Sequence, residues 1–165
     1  MLRNKNLIPL SHQHQRALAL CVRIERASPI PQEDLTQWQG EIAQLSQNEI
    51  ASHFAAEEKV IFPTATKQNE LKPLVDGLLS DHIGLRNMFA DATAQKMTSD
   101  DVLALAKRLS EHIRKEERQL FEQMQQMMST EELTQLGKEL DLAWKEFPVS
   151  ESCQIAFASK TRRRS

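Results

Sequence analysis

Apolar positions recur at helical spacing along nearly the whole chain, interrupted at a few points only. From Ile8 or Pro9 to Ala27 the stripe Leu10, His14, Leu18, Cys21 follows a period of about 3.6 residues, which predicts a first helix. The segment Ser-Pro-Ile-Pro-Gln, residues 28–32, breaks it. Proline donates no backbone hydrogen bond and disfavours a helical residue before it. A second helix is predicted over residues 32–62, with Pro63 as its stop. The third begins near Glu70, takes Pro73 in its first turn where the missing N–H costs nothing, and reaches about Gln95. Ser99 is read as the N-cap of a fourth, with Asp100 and Asp101 favourable at the positive end of its dipole. That helix extends to about Met128, and Ser129 with Glu132 then forms a capping box for a fifth, ending near Phe147.

Four long helices with short connections predict an all-α fold, an antiparallel up-down-up-down four-helix bundle with an additional C-terminal helix. The bundle and fifth helix span residues 1–147, and residues 148–165 read as a C-terminal tail. In this topology the second and fourth helices run parallel. They carry a repeat: His-Phe-Ala-Ala-Glu-Glu-Lys-Val-Ile-Phe at 53–62 and His-Ile-Arg-Lys-Glu-Glu-Arg-Gln-Leu-Phe at 112–121.

On a helix, residues i and i+4 lie about 40° apart and one turn apart along the axis, so their side chains meet on one face. His53 is thereby placed beside Glu57, and His112 beside Glu116. Glu58 and Glu117 are about 100° further round and point aside. The stripe of His53 includes Ile42, Ile50 and Val60; that of His112 includes Leu105, Leu109 and Leu120. These are core residues, so both pairs face inward. A buried carboxylate protonates or finds a cation, and a metal is the natural partner. The other histidines arrive at the same depth. His82 and His112 are equidistant from Met97, inside the third connection; His53 and His82 are centred on the second; His14 and His53 are centred beside the residue 28–32 break. His12, about 200° from His14, faces away.

Four imidazoles and two carboxylates at one level suit two metal ions a few ångströms apart. Mixed nitrogen and oxygen ligation fits iron, with manganese or zinc as alternatives, and the lack of thiolates removes iron–sulfur clusters. Glu49 and Arg108, each one turn before a motif histidine, are read either as orienting groups or as exposed bundle-end residues.

Charge and composition narrow the partners. A net charge of −2 gives no basic field for nucleic acid. No apolar run reaches a membrane span, and the N-terminus lacks a signal-peptide pattern. Cys21 and Cys153 provide no disulfide framework and no CxxC spacing, so a cytoplasmic location is expected. Tyrosine is absent, which excludes tyrosyl-radical chemistry. Met124, Met127 and Met128 read as packing residues, Cys21 as a buried thiol, and the basic run Lys160–Arg164 as a solvated tail.

The segments LSHQHQRALAL around His14, HFAAEEKVIFP, SDHIGLRNMF around His82, and HIRKEERQLF resemble, in order, the four helix signatures of the hemerythrin-like (HHE cation-binding) family. The resemblance covers about residues 7–128 and is most specific in the two HxxxEE segments. It implies a four-helix bundle around a non-haem di-iron centre, bridged by two carboxylates and by an oxo or hydroxo group. The implied ligands are His14, His53, His82 and His112, with Glu57 and Glu116 as bridges. Oxygen carriers of the family place a second histidine one turn from the third-helix ligand, where this chain has Leu78 and Arg86. The departure implies an exchangeable metal position and argues against reversible oxygen carriage. It favours a protein that binds or senses O2, NO or iron and redox state, with an anion as a further ligand class. The alternatives are a redox enzyme reducing peroxide or nitric oxide, an iron–sulfur-centre repair protein, and a bundle whose histidine layer is incidental. The repair members carry an additional cysteine-bearing N-terminal domain, and none is expected here.

Overall fold

The computed structural model of the protein describes residues 2–147; the expected tail, with Cys153 and Lys160–Arg164, lies outside them. Among the described residues there is no strand. Five helical elements follow the chain. Helix α1 is Ile8–Arg26, with proline in its first turn. Helix α2 covers residues 35–65, entered through a 3-10 turn, Gln32–Asp34. Helix α3 is Lys72–Thr93, α4 covers residues 99–127, and α5 is Thr130–Glu146.

Two helices are not uniformly α. Helix α2 contains two π turns, Ser46–Ile50 and Glu57–Ile61, and α4 contains one, Glu116–Leu120. The second and third begin at the two motif glutamates. A π turn admits one extra residue and rotates the rest of the helix about its axis, a local cost often found at functional sites.

These turns explain why Pro63 does not stop α2. The last π bond runs from Phe62 N–H to Glu57 O, and Pro63 then sits in the first turn of the closing segment Phe62–Ala65. Its missing N–H coincides with the change of bonding register, so the helix continues to Ala65. The N-cap of α4 is Thr98 rather than Ser99. Asp101 N–H donates to Thr98 Oγ1 (3.2 Å), and Asp101 Oδ2 accepts from Thr98 N–H (2.8 Å). A capping box needs an acid three residues on, which Thr98 has and Ser99, facing Val102, lacks. Ser99 Oγ instead donates to Ile30 O (3.1 Å), tying α4 to the α1–α2 break. The Ser129–Glu132 box of α5 forms as the sequence predicts.

Helix α1 packs on α4, and α2 on α3. The interior divides into two apolar clusters. One holds Ile24, Ile42, Phe54, Leu85, Leu109 and Ile113. The other holds Leu10, Ile61, Leu78, Leu120 and Phe121, and α5 covers it with Leu133, Leu136 and Leu140. Met124 joins the second cluster and Met128 packs against it, while Met127 is exposed. A Cβ at Gly137 would fall 2.5 Å from Asn6 Oδ1, so glycine lets α5 close on the N-terminal segment.

The turn between α3 and α4 is held from inside. Gln39 is buried; its Oε1 accepts from Met97 N–H (2.8 Å) and its Nε2 donates to Gln95 Oε1 (3.2 Å). Gln95 has φ 56°, an uncommon value for a residue other than glycine; it is the left-handed residue that ends α3, where Lys96 N–H donates to Asp91 O (2.9 Å) and Gln95 N–H to Ala92 O (3.1 Å). Gln39→Leu keeps the volume but leaves the Met97 N–H unpaired, and is expected to cost about 1–3 kcal/mol. Urea denaturation reads this as a lower midpoint; an unchanged midpoint would mean that water takes over the Met97 bond.

Candidate metal centre

Between the two apolar clusters lies a single polar layer. His14 from α1, His53 and Glu57 from α2, His82 from α3, and His112 and Glu116 from α4 are all at most 3% exposed. The structure therefore brings together all six residues singled out in the sequence. His12 is exposed, on the other side of α1.

The six fall into two overlapping groups, His14, His53, Glu57, Glu116 and His82, His112, Glu57, Glu116; within each, one possible ligand atom per residue lies within 4.8 Å of all the others. The two glutamates belong to both, and each divides its oxygens between them. Glu57 Oε1 lies 3.1 Å from His53 Nε2, while its Oε2 lies 3.4 Å from His82 Nε2. Glu116 Oε2 lies 3.1 Å from His14 Nε2, while its Oε1 lies 3.2 Å from His112 Nε2.

Three of the four imidazoles are hydrogen-bonded on the outer nitrogen by the helix before theirs, with α4 serving α1. His53 Nδ1 donates to Gln13 Oε1 (2.6 Å), His82 Nδ1 to Glu58 Oε1 (2.7 Å), and His14 Nδ1 to Glu117 Oε1 (2.7 Å). The Asp81 carboxylate faces His112 Nδ1 at 3.7 Å, beyond hydrogen-bond range. An ionised carboxylate can only accept, so at His14 and His82 Nδ1 carries a proton and Nε2 is the nitrogen directed inward. The carboxylates are themselves held by cations: Glu117 by Arg3 (2.6 Å), Glu58 by Arg86 (2.7 Å), and Asp81 by Lys115 (2.8 Å).

This outer ring escaped the sequence reading. Glu58 and Glu117 do point aside from their own stripe, but aside is towards the histidine of the next helix. The available signal was the doubled glutamate, repeated in both motifs although one carboxylate would suffice for the inner face. Of the two further candidates, Glu49 pairs with Arg16 (2.6 Å). Arg108 lies 3.6 Å from Asp81 and acts on the layer only through it. Arg86, which stands where a further imidazole would sit in an oxygen carrier, is turned outward onto Glu58.

The electrostatics of the layer call for positive charge. Burial disfavours the ionised Glu57, but His53 and then His82 outweigh it and hold this carboxyl well below its ordinary range. Glu116 is held down too: burial and then Glu57 oppose its ionisation, and His112 and His14 more than compensate. Burial likewise opposes charge on His14, yet Glu116 and Glu117 push its pKa up to about 10. His14 Nε2 and His53 Nε2 stand 2.9 Å apart, a spacing that two lone pairs tolerate only with a proton or cation between them.

A cation fits these residues by two tests. Both oxygens of Glu57 and of Glu116, with Nε2 of His82 and His112, are buried and have no hydrogen-bond partner. Such atoms are costly unless something binds them. The donors are all imidazole nitrogen and carboxylate oxygen, a set suited to first-row divalent metals.

The family model of the hemerythrin HHE cation binding domain matches residues 9–124. The chain belongs to that family. It is thus a cation-binding helical protein, and the matched stretch contains every member of the polar layer. No curated protein and no solved structure matches it. Among the described residues of this hemerythrin-family chain, no helix is long and apolar enough to cross a membrane.

Proposed function

We propose that the chain holds two non-haem iron ions, one at His14 and His53 and the other at His82 and His112, with Glu57 and Glu116 shared between them. We propose further that the centre binds or senses a small ligand, O2 or NO, or reports iron and redox state. One observation carries the reading: each buried glutamate gives one oxygen to each histidine pair. A single ion would leave two of the four oxygens without a partner. Iron is favoured over metals that select thiolates because the layer offers none; Cys21 is buried in the apolar cluster away from it.

Bound there, iron would supply a change of oxidation state and positions for a small ligand. The protein's part is to orient and insulate. Gln13, Glu58 and Glu117 fix the ring angle and tautomer of three imidazoles, a contribution typically worth 10–100-fold in metal affinity. The two apolar clusters keep bulk water from both faces of the layer. Leu78, one turn before His82, is buried in the second cluster, and Arg86, one turn after, is committed to Glu58. Neither supplies a further ligand, which leaves room for an exogenous one.

Azide or nitric oxide is expected to change the optical spectrum of the iron-loaded chain. His12→Ala should keep both the iron content and this response, and His14→Ala should lose them. Equal iron loss in the two variants would place α1 the wrong way round. Rapid mixing of the reduced protein with O2 is expected to give quick oxidation of the centre. A reversible oxygen spectrum lasting many minutes would replace sensing by oxygen storage.

A further inference from the structure

On the side of the layer that faces the first apolar cluster, one ring touches three of the four imidazoles. Phe54, itself buried, lies parallel to His82 with ring centroids 3.7 Å apart. It is edge-on to His112 at 5.6 Å and tilted to His53 at 6.3 Å. Beyond it, between α2 and α3, is a solvent-connected crevice of about 290 Å³ lined by Ile50, Ala51 and Phe54 on one side and Arg86, Phe89 and Ala90 on the other. Its walls are mainly apolar, and the Ser46–Ile50 π turn forms part of one of them. The Arg86 guanidinium lies 5.5 Å from the centroid of the Phe54 ring and is tied to Glu58.

We propose that this crevice admits small uncharged molecules to the His82/His112 half of the layer, with Phe54 as the gate and Arg86 as its latch. The inference rests on the two-ion reading above. Three features support it. Phe54 borders both the crevice and the His82 and His112 rings, so its displacement joins solvent to that half. The crevice gives the ring somewhere to swing, whereas buried rings normally have no free space. Apolar walls suit a neutral diatomic better than an ion. The other half is covered differently: Phe121 stacks on His14 at 5.8 Å and, like Phe54, belongs to an apolar cluster, but it lies under the Arg3 guanidinium (5.3 Å) and does not line this crevice.

Anaerobic ferrous-loaded protein, its iron counted first, is mixed with nitric oxide in a stopped-flow instrument. Ala90 is exposed, so Ala90→Phe fills the crevice without touching the core. It is expected to slow NO binding about tenfold, equivalent to about 1.4 kcal/mol of added barrier. Phe54→Leu and Arg86→Gln should speed it, with two irons retained. If Phe54→Leu loses iron, Ala90→Phe decides alone. Two irons per chain with an NO on-rate unaltered by Ala90→Phe would overturn the gate and leave the two-ion centre standing. A wild-type chain without two irons would remove the centre, and the gate with it.

Discussion

Glu57→Gln is expected to bring the iron content from two per chain to one or less, and Glu116→Gln to do the same. Each change removes one of the two buried negative charges that face both histidine pairs, and an amide offers only one acceptor oxygen. The loss should therefore reach both halves at once, unlike the loss of a single histidine. Glu58→Gln provides the contrast. Within the layer that carboxylate meets only the outer nitrogen of His82, its other partner being Arg86 outside, so the variant should still take up two ions, with the His82 half weaker by roughly 10–100-fold. Metal titration followed by elemental analysis separates the cases, and circular dichroism checks that the helices survive. If Glu57→Gln and Glu58→Gln behaved alike, the distinction between a shared ligand and an orienting group would fail.

The second large effect concerns stability and pH. Filling the site stabilises the fold by about 2.7 kcal/mol per ion at a hundredfold excess over the dissociation constant. The metal-free protein responds to pH through His14, whose pKa rises on folding from an ordinary value of 6.5 to about 10. A raised pKa means stability that is fully present below pH 6.5 and is lost as pH climbs through the folded value. His82 is shifted the same way: burial opposes its charge, and Glu57 and then Glu116 outweigh burial. Glu57 and Glu116 act in the opposite sense, but only below the ordinary carboxylate range, outside this window. A cation bound at His14 would replace its proton, so metal uptake is expected to release protons and to tighten with rising pH. Thermal melts with cobalt(II), from pH 6.5 to 8.5, should show a gap between loaded and metal-free midpoints that widens with pH. A gap that narrows would contradict the charge balance described for the layer.

What could be read from the sequence was whatever depends on helical period and loop position. His14, His53, His82 and His112 can be set level because the connections between their helices are short, which fixes each residue's depth by its distance from the turn. The inward glutamates follow from the i, i+4 relation alone. The π turns were hidden because a stripe at 3.6 residues presumes one bonding register throughout; Pro63 reads as a stop for that reason. The partners Gln13, Glu58, Asp81 and Glu117 depend on which helix lies next to which, information that no single stripe carries. Arg86 shows the difference most clearly. In the sequence it is a missing ligand, and in the fold it clamps Glu58 and covers Phe54.

The central claim is that two cations share Glu57 and Glu116, and the most direct measurement is a count. The chain is reconstituted anaerobically with ferrous iron, freed of unbound metal, and assayed for iron and protein. The account predicts two irons per chain, and a Mössbauer spectrum of the oxidised sample with the signature of magnetically coupled iron. One iron per chain, or none, would contradict it.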